Sequence, residues 1–274
     1  MSFITISVKC AEVYVELIIS ALFEIGFDSF QEFDYGFEGS CPESSFQEEQ
    51  VRQVLDNYPD VSFEVKEQDK INWNEEWEKN YDPIIVDEKC LVRATFHQDE
   101  RPYDYEIVVN PKMSFGTGHH ATTYQILAHQ MILDHHEKKV LDVGTGTGIL
   151  TIMASKRGAS KLVATDIDDW CIENSHENFA LNKVENVELI KGEIDLIADK
   201  DFHIIIANIN KNVLMSQLRY YAERLKDDGT LLLSGFYIED IEDLVAEGEK
   251  WNLKKQEENS KENWAMLALS KQLV

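Results

Sequence analysis

Residues 140–148 constrain this chain more than any other stretch. An apolar run, Val140-Leu141-Asp142-Val143, breaks into Gly144-Thr145-Gly146-Thr147-Gly148, and helically spaced apolar residues follow. A strand that turns through glycines directly into a helix reads as the first βα unit of an open parallel sheet, and its turn lies at the carboxyl edge where such sheets hold ligands. Glycines there permit positive φ and let a ligand approach bare backbone. Asp166 follows 22 positions after Gly144, closing the second strand at 162–165. A carboxylate in that place can accept both hydroxyls of an adenosine ribose.

The rest of the chain extends the same rhythm. Helices are predicted over 149–157 and 168–182, with strands at 187–190 and 203–207. Val213, Leu214, Leu218, Tyr221 and Leu225 mark another helix, and Asp227-Asp228-Gly229 turns into a strand at 230–234. Repeated units of this length predict an α/β fold, a parallel sheet with helices on both faces. Segments 253–256 and 265–269 lie too close together for a crossover helix, so they should pair antiparallel.

The first quarter differs. Residues 1–69 hold fifteen Asp and Glu against Lys9, Arg52 and Lys66, a net charge of −12 out of −25 for all 274 residues. Residues 3–9 alternate like a half-buried strand, and Tyr14, Leu17, Ile18, Ala21, Leu22 and Ile25 form a helical stripe that Gly26 stops. An aromatic alternating stretch at 27–37, a second helix marked by Val51, Val54, Leu55 and Tyr58, and a strand at 61–65 complete a βαβ(β)αβ order. That order is the small ferredoxin-like α+β sandwich. Three parts are therefore expected: 1–69 as a binding domain, 70–95 as a linker, and 96–274 as a catalytic domain. The linker should carry a short helix over 71–81, with Trp73 and Trp77 as packing anchors one turn apart.

Charge and composition exclude other classes. A field of −25 opposes nucleic acid and attracts a basic partner. No apolar run approaches the ~18 residues of a membrane helix, and the first residues lack the basic head of a secretory signal. The four cysteines form no C-x-x-C pair, as expected of reduced thiols in the cytoplasm. The adjacent pairs His119-His120 and His135-His136 lack the i, i+4 spacing of a helical metal site, so no metal is expected.

The cofactor follows from charge. A dinucleotide brings a pyrophosphate, which Asp142 beside the turn would repel, and the spacing is G-x-G-x-G, not G-x-G-x-x-G. S-adenosylmethionine carries no phosphate and brings an ammonium and a sulfonium, which nearby carboxylates favour. A nicotinamide-dependent oxidoreductase and a non-catalytic binder on the same fold stay as alternatives. Upstream, residues 113–123 join glycines, Phe115 and hydroxyls ahead of an amphipathic helix, as a loop that folds over a cofactor would. Asn208, ending the fourth strand in Ala207-Asn208-Ile209-Asn210, can hold an amine by its carbonyl oxygen. His119 or His120 is a candidate to relay the amine's proton.

Phe115-Gly116-Thr117-Gly118-His119-His120-Ala121-Thr122-Thr123, residues 140–148, Asp166-Ile167-Asp168 and Ala207-Asn208-Ile209 together resemble the ribosomal protein methyltransferases of the PrmA type. The resemblance covers about residues 73–235. It implies a Rossmann-like class I methyltransferase domain, with a seven-stranded sheet and an antiparallel C-terminal hairpin, behind an N-terminal recognition domain. It further implies S-adenosylmethionine as cofactor and ribosomal protein L11 as substrate, trimethylated on lysine ε-amines and its N-terminal α-amine by a cytoplasmic monomer. Another protein-lysine substrate is the near alternative. By position, Thr123, Gly144, Asp166 and Asn208 correspond to the family's cofactor contacts. Thr117, Gly146 and Asp142 join them as candidates from the loop and turn, and Asn208 is the candidate catalytic residue. Two departures flank this centre: His119 and Ala121 replace the family's Thr and Pro, and Asn210-Lys211 replaces Leu-Ala.

Overall fold

The computed structural model describes residues 3–66, 81–99, 101–112 and 114–273. The chain forms two units, Met1–Tyr81 and Asp82–Val274.

In the first unit, β1 (Phe3–Lys9), α1 (Glu12–Glu24), β2 (Ser29–Phe33), β3 (Gly36–Pro42), α2 (Glu48–Leu55) and β4 (Ser62–Lys66) follow in order. The sheet runs β2-β3-β1-β4 with every neighbour antiparallel. β3 thus sits between the parallel strands β1 and β2, the split βαβ arrangement of a ferredoxin-like domain. Alternation decides the core: Ile6 and Val8 of β1 face Ile18 and Leu22 of α1 and Val51 and Leu55 of α2. Gly26, at φ 101°, ends α1 as its spacing suggested. The aromatic stretch at 27–37 divides into β2 and the start of β3.

The second unit is built on β8 (Lys139–Val143), α4 (Ile149–Lys156), β9 (Lys161–Asp166), α5 (Asp169–Leu181), β10 (Val187–Lys191), β11 (Phe202–Asn208), α6 (Lys211–Arg224), β12 (Leu225–Tyr237), α7 (Ile241–Glu249), β13 (Leu253–Lys261) and β14 (Trp264–Lys271). Before them come β5 (Ile84–Val86), β6 (Cys90–Arg93), β7 (Tyr105–Val108) and α3 (Ala121–Ile132). The main sheet has seven strands in the order β10-β9-β8-β11-β12-β14-β13, parallel as far as β12, with β14 antiparallel to both its neighbours. Central strands are covered on both faces, which is why they read as continuous apolar runs. In β11, Ile204 and Ile206 enter one core and Ile205 and Ala207 the other. Strand order reverses between β8 and β11, opening the crevice where such sheets bind ligands.

Three features differ from the sequence reading. The segment 82–95 contains β5 and β6, which form a three-stranded sheet with β7, and Val86, Cys90 and Val92 pack into the core shared with α3 and α4. Strands of three or four residues are too short for alternation to show. The C-terminal hairpin is longer than expected, because β13 is an exposed edge whose polar residues from Lys254 onward conceal its strand character. β12 begins five residues early, at Leu225 opposite Phe202, and bulges before Thr230. The helix expected over 71–81, with Trp73 and Trp77, lies outside the described residues apart from Tyr81. No helix among the described residues is long and apolar enough to cross a membrane.

Glu262 and Asn263 form the two-residue hairpin turn, at φ 53° and 68°. Both are left-handed, as in a type I′ turn, which Asn-Gly suits best. Replacing them together, Glu262→Asn with Asn263→Gly, should stabilise the protein by about 1 kcal/mol. Urea unfolding checks this; an unchanged midpoint contradicts it.

Candidate active site

The glycine turn after β8 is held from two sides. The N–H groups of Gly144 and Thr145 donate to the Thr165 carbonyl at 2.8 and 3.0 Å, tying the turn to β9. The Gly146 N–H donates to Asp166 Oδ2 at 2.9 Å, and the Asp168 N–H donates to Oδ1 at 3.1 Å. From the other side, the Thr147 N–H donates to the Phe115 carbonyl at 3.0 Å. Gly146 has φ 56°, and a Cβ there would strike that same carbonyl. A Cβ on Gly144, at φ 73°, would strike the Ile209 side chain. These glycines therefore let the turn touch the loop before α3 and the residue after Asn208.

Asn178 of α5 and Asn182, which caps the C-terminal end of that helix, fix the start of that loop. Asn182 Oδ1 accepts from the Val108 N–H, and Asn178 Oδ1 from the Asn110 N–H at 2.8 Å. Asn178 Nδ2 then donates to the Thr147 carbonyl at 2.9 Å, joining loop to turn. Their i, i+4 spacing is the signal in the sequence, but it becomes meaningful only with a partner strand in view.

A cavity of about 730 Å³ opens at the carboxyl edge of the sheet, a size suited to a nucleoside-sized ligand. Gly144, Gly146, Asp166 and Asn208 all line it. Thr117, Thr123 and Asp142 do not. Thr123 is fully buried behind Asn208, whose Nδ2 donates to the Thr123 hydroxyl at 3.3 Å. Among the described residues, Asn208 Oδ1 is buried without a partner. An amide acceptor so placed is costly unless a ligand donor reaches it.

Thr117 pairs with His119 on the loop. The His119 ring donates from Nε2 to the Asp82 carbonyl at 3.0 Å, and its Nδ1 lies 3.2 Å from the Thr117 hydroxyl. His120 caps α3, with Nδ1 taken up by the backbone and hydroxyl of Thr122. In its neutral form His120 thus carries its proton on Nε2, so the lone pair a relay would use is already engaged in the cap.

Asp142 lies beneath the turn, 1% exposed, with Oδ2 accepting from the hydroxyls of Thr145 and Thr151, both at 2.7 Å. Burial pushes its carboxyl up to about 6, against those two hydrogen bonds and with the Asp166 charge adding to the rise.

Several wall residues come from elements the sequence reading did not join to the site. Trp264 at the start of β14 meets His120 edge-on at 4.6 Å, and His120 meets Phe115 at 5.3 Å. Ile167, Cys171 and Glu193 also face the cavity. Burial pushes the Cys171 thiol up to about 11, so it stays neutral. Among the described residues, the lining holds three carboxylates, Asp166, Asp168 and Glu193, and neither lysine nor arginine. Such a wall favours a cationic ligand and disfavours a diphosphate.

Comparison with known proteins decides the family. The sequence profile described as Ribosomal protein L11 methyltransferase (PrmA) matches residues 41–272. The chain belongs to this family. The Ribosomal protein L11 methyltransferase of Phocaeicola vulgatus is 40% identical over 262 residues, spanning 93% of each chain. That of Porphyromonas gingivalis is 43% identical over 264 residues, spanning 93% of this chain and 90% of its own. A crystal structure of a ribosomal protein L11 methylase from Lactobacillus delbrueckii subsp. bulgaricus superposes with a TM-score of 0.65 at 27% identity, covering 70% of this chain and all of that one. The seven-stranded sheet with its antiparallel C-terminal hairpin is thus a methyltransferase fold, and the chain is an S-adenosylmethionine-dependent methyltransferase of the PrmA family.

The turn's buried acid gives a signed test. Because the folded-state value of Asp142 is raised, its protonated form suits the fold; that contribution is complete below about pH 4 and is lost as pH rises through about 6. At neutral pH the anion costs about 3 kcal/mol relative to an unperturbed carboxyl. Asp142→Asn keeps an acceptor for both threonines and does not titrate. Its melting temperature relative to the native protein should therefore rise between pH 5 and pH 7.5. A difference that stays constant with pH contradicts this.

Proposed function

We propose that this chain methylates amino groups of ribosomal protein L11, up to trimethylation of lysine ε-amines and of the N-terminal α-amine. The observation that carries the reading is the unpartnered, buried Oδ1 of Asn208, a residue that lines a cavity walled by carboxylates.

The residues present suit S-adenosylmethionine. Asp166 can accept from the ribose hydroxyls, the backbone of Gly144 and Gly146 leaves room beside them, and Ile167 offers an apolar face for the adenine. Glu193, at the end of the third parallel strand, can accept from the exocyclic amine. Thr123 contributes by holding Asn208, and Asp142 by holding the turn. When bound, the cofactor supplies a methyl group on a positively charged sulfur, and the nitrogen–carbon bond forms as the carbon–sulfur bond gives its electron pair back to sulfur.

The chain's own residues then position the acceptor. Asn208 Oδ1 accepts a hydrogen from the neutral amine and turns its lone pair toward the methyl carbon. Phe115, His120 and Trp264 form the aromatic wall that keeps water from the approaching side chain. A lysine with its usual pKa near 10.4 reacts through its small neutral fraction, and an α-amine near 8 more readily. Holding donor and acceptor in line is the main contribution asked of the protein.

The acidic first unit gives the encounter its direction. With a net −12 over residues 1–69, it attracts a basic ribosomal protein, an effect that salt screens. A ribosomal substrate also implies work in the cytoplasm.

Two variants separate acceptor from cofactor. Asn208→Ala should lower turnover on L11 on the order of 100-fold, as loss of one well-placed hydrogen-bonding group does in other enzymes. Asp166→Ala should weaken cofactor affinity by roughly 10- to 100-fold through loss of charge-assisted hydrogen bonds. Intact-mass spectrometry of L11 incubated with each variant and calorimetric titration with S-adenosylmethionine measure the two. Wild-type turnover by Asn208→Ala would refute the assignment of Asn208.

A further inference from the structure

The residues after Asn208 place a cation where a helix opposes it. Asn210 lines the cavity and caps α6, its Oδ1 accepting from the Val213 N–H at 3.2 Å. Lys211 is then the first residue of α6, and the positive end of the helix dipole disfavours a lysine there. Two carboxylates offset that cost. Lys211 Nζ lies 2.7 Å from Asp240 Oδ1 and 2.7 Å from Asp243 Oδ2, and Asp240 is 14% exposed.

Asp240 leads on to the cavity. Its Oδ2 accepts from the Tyr237 N–H at 2.9 Å. Tyr237 lies opposite Trp264 in the β12–β14 register, and their rings are 4.3 Å apart at 32°. Trp264 is the wall residue that meets His120 edge-on. The indole is therefore backed by Tyr237, and the Tyr237 backbone is held by the carboxylate that Lys211 holds. The cofactor side depends on different bonds, from β9 and the glycine turn.

We infer that Lys211 is a positioning residue for the acceptor side of the site: its ion pair with Asp240 fixes Tyr237, and through Tyr237 it sets the Trp264 wall against which the target amine is held. This rests on the proposed methylation of L11. Because the clamp shares no hydrogen bond with Asp166 or the turn, its loss acts on the acceptor and spares the cofactor.

The test uses the full chain with Lys211→Ala, Lys211→Arg and Asp240→Asn, measuring methylation of L11, calorimetric affinity for S-adenosylmethionine, and melting temperature. Lys211→Ala should lower kcat/KM for L11 on the order of fivefold, the scale of a half-exposed ion pair. Its cofactor affinity should match the native protein, and Lys211→Arg should restore activity. Asp240→Asn, which keeps an acceptor for Tyr237, should fall in the same direction by less; it and Lys211→Arg carry the test if the alanine variant fails to fold. Unchanged kcat/KM in Lys211→Ala overturns the inference, and so does a parallel loss of cofactor affinity. A native protein that leaves L11 unmethylated overturns the proposed function itself, and this role with it.

Discussion

The carboxylate of Asp166 receives two backbone N–H groups, one from the turn after β8 and one from the residue that caps α5. Much else follows from that closure. It draws Gly146 into the left-handed region and against the Phe115 carbonyl, so the loop before α3 is fixed to the turn. It also leaves Asp166 anchored at the cavity rim with its outward lone pairs available. A side chain on Gly146 would separate loop from turn, and the pocket would lose its floor and one wall together.

Electrostatics then select the ligand. Three carboxylates in the lining, with a fourth buried below the turn, make the site a field for positive charge. Burial pushes the Asp142 carboxyl up to about 6 against its two threonine hydrogen bonds, and the nearby Asp166 charge adds a smaller push. A sulfonium and an ammonium suit such a place, whereas a pyrophosphate would call for cations, and the described lining residues include neither lysine nor arginine. In the proposed reaction the neutral Asn208 amide suits a substrate amine that arrives without its proton.

Much of this was legible in the sequence. Parallel strands buried on both faces show as apolar runs, and the glycine turn with its distant aspartate is a local pattern with one structural meaning. The strands β5, β6 and β7 escaped notice because each is too short to show a period, and β13 because an edge strand has no reason to be apolar. Within the site, Gly144, Gly146, Asp166 and Asn208 could be placed because strand ends converge at the switch point. Asp142 is adjacent to the turn in sequence but points under it, which alternation along β8 alone could not tell. Trp264, Tyr237 and Glu193 reach the cavity region only through the strand order and the hairpin register, information that lies between segments and not within them.

The central claim is that the anionic wall around the glycine turn holds a cationic methyl donor. Calorimetric titration of the native protein with S-adenosylmethionine and, in parallel, with a nicotinamide dinucleotide tests it most directly. One saturable site for S-adenosylmethionine and no heat of binding for the dinucleotide is the predicted result. Saturable binding of the dinucleotide, or none of S-adenosylmethionine, would contradict it.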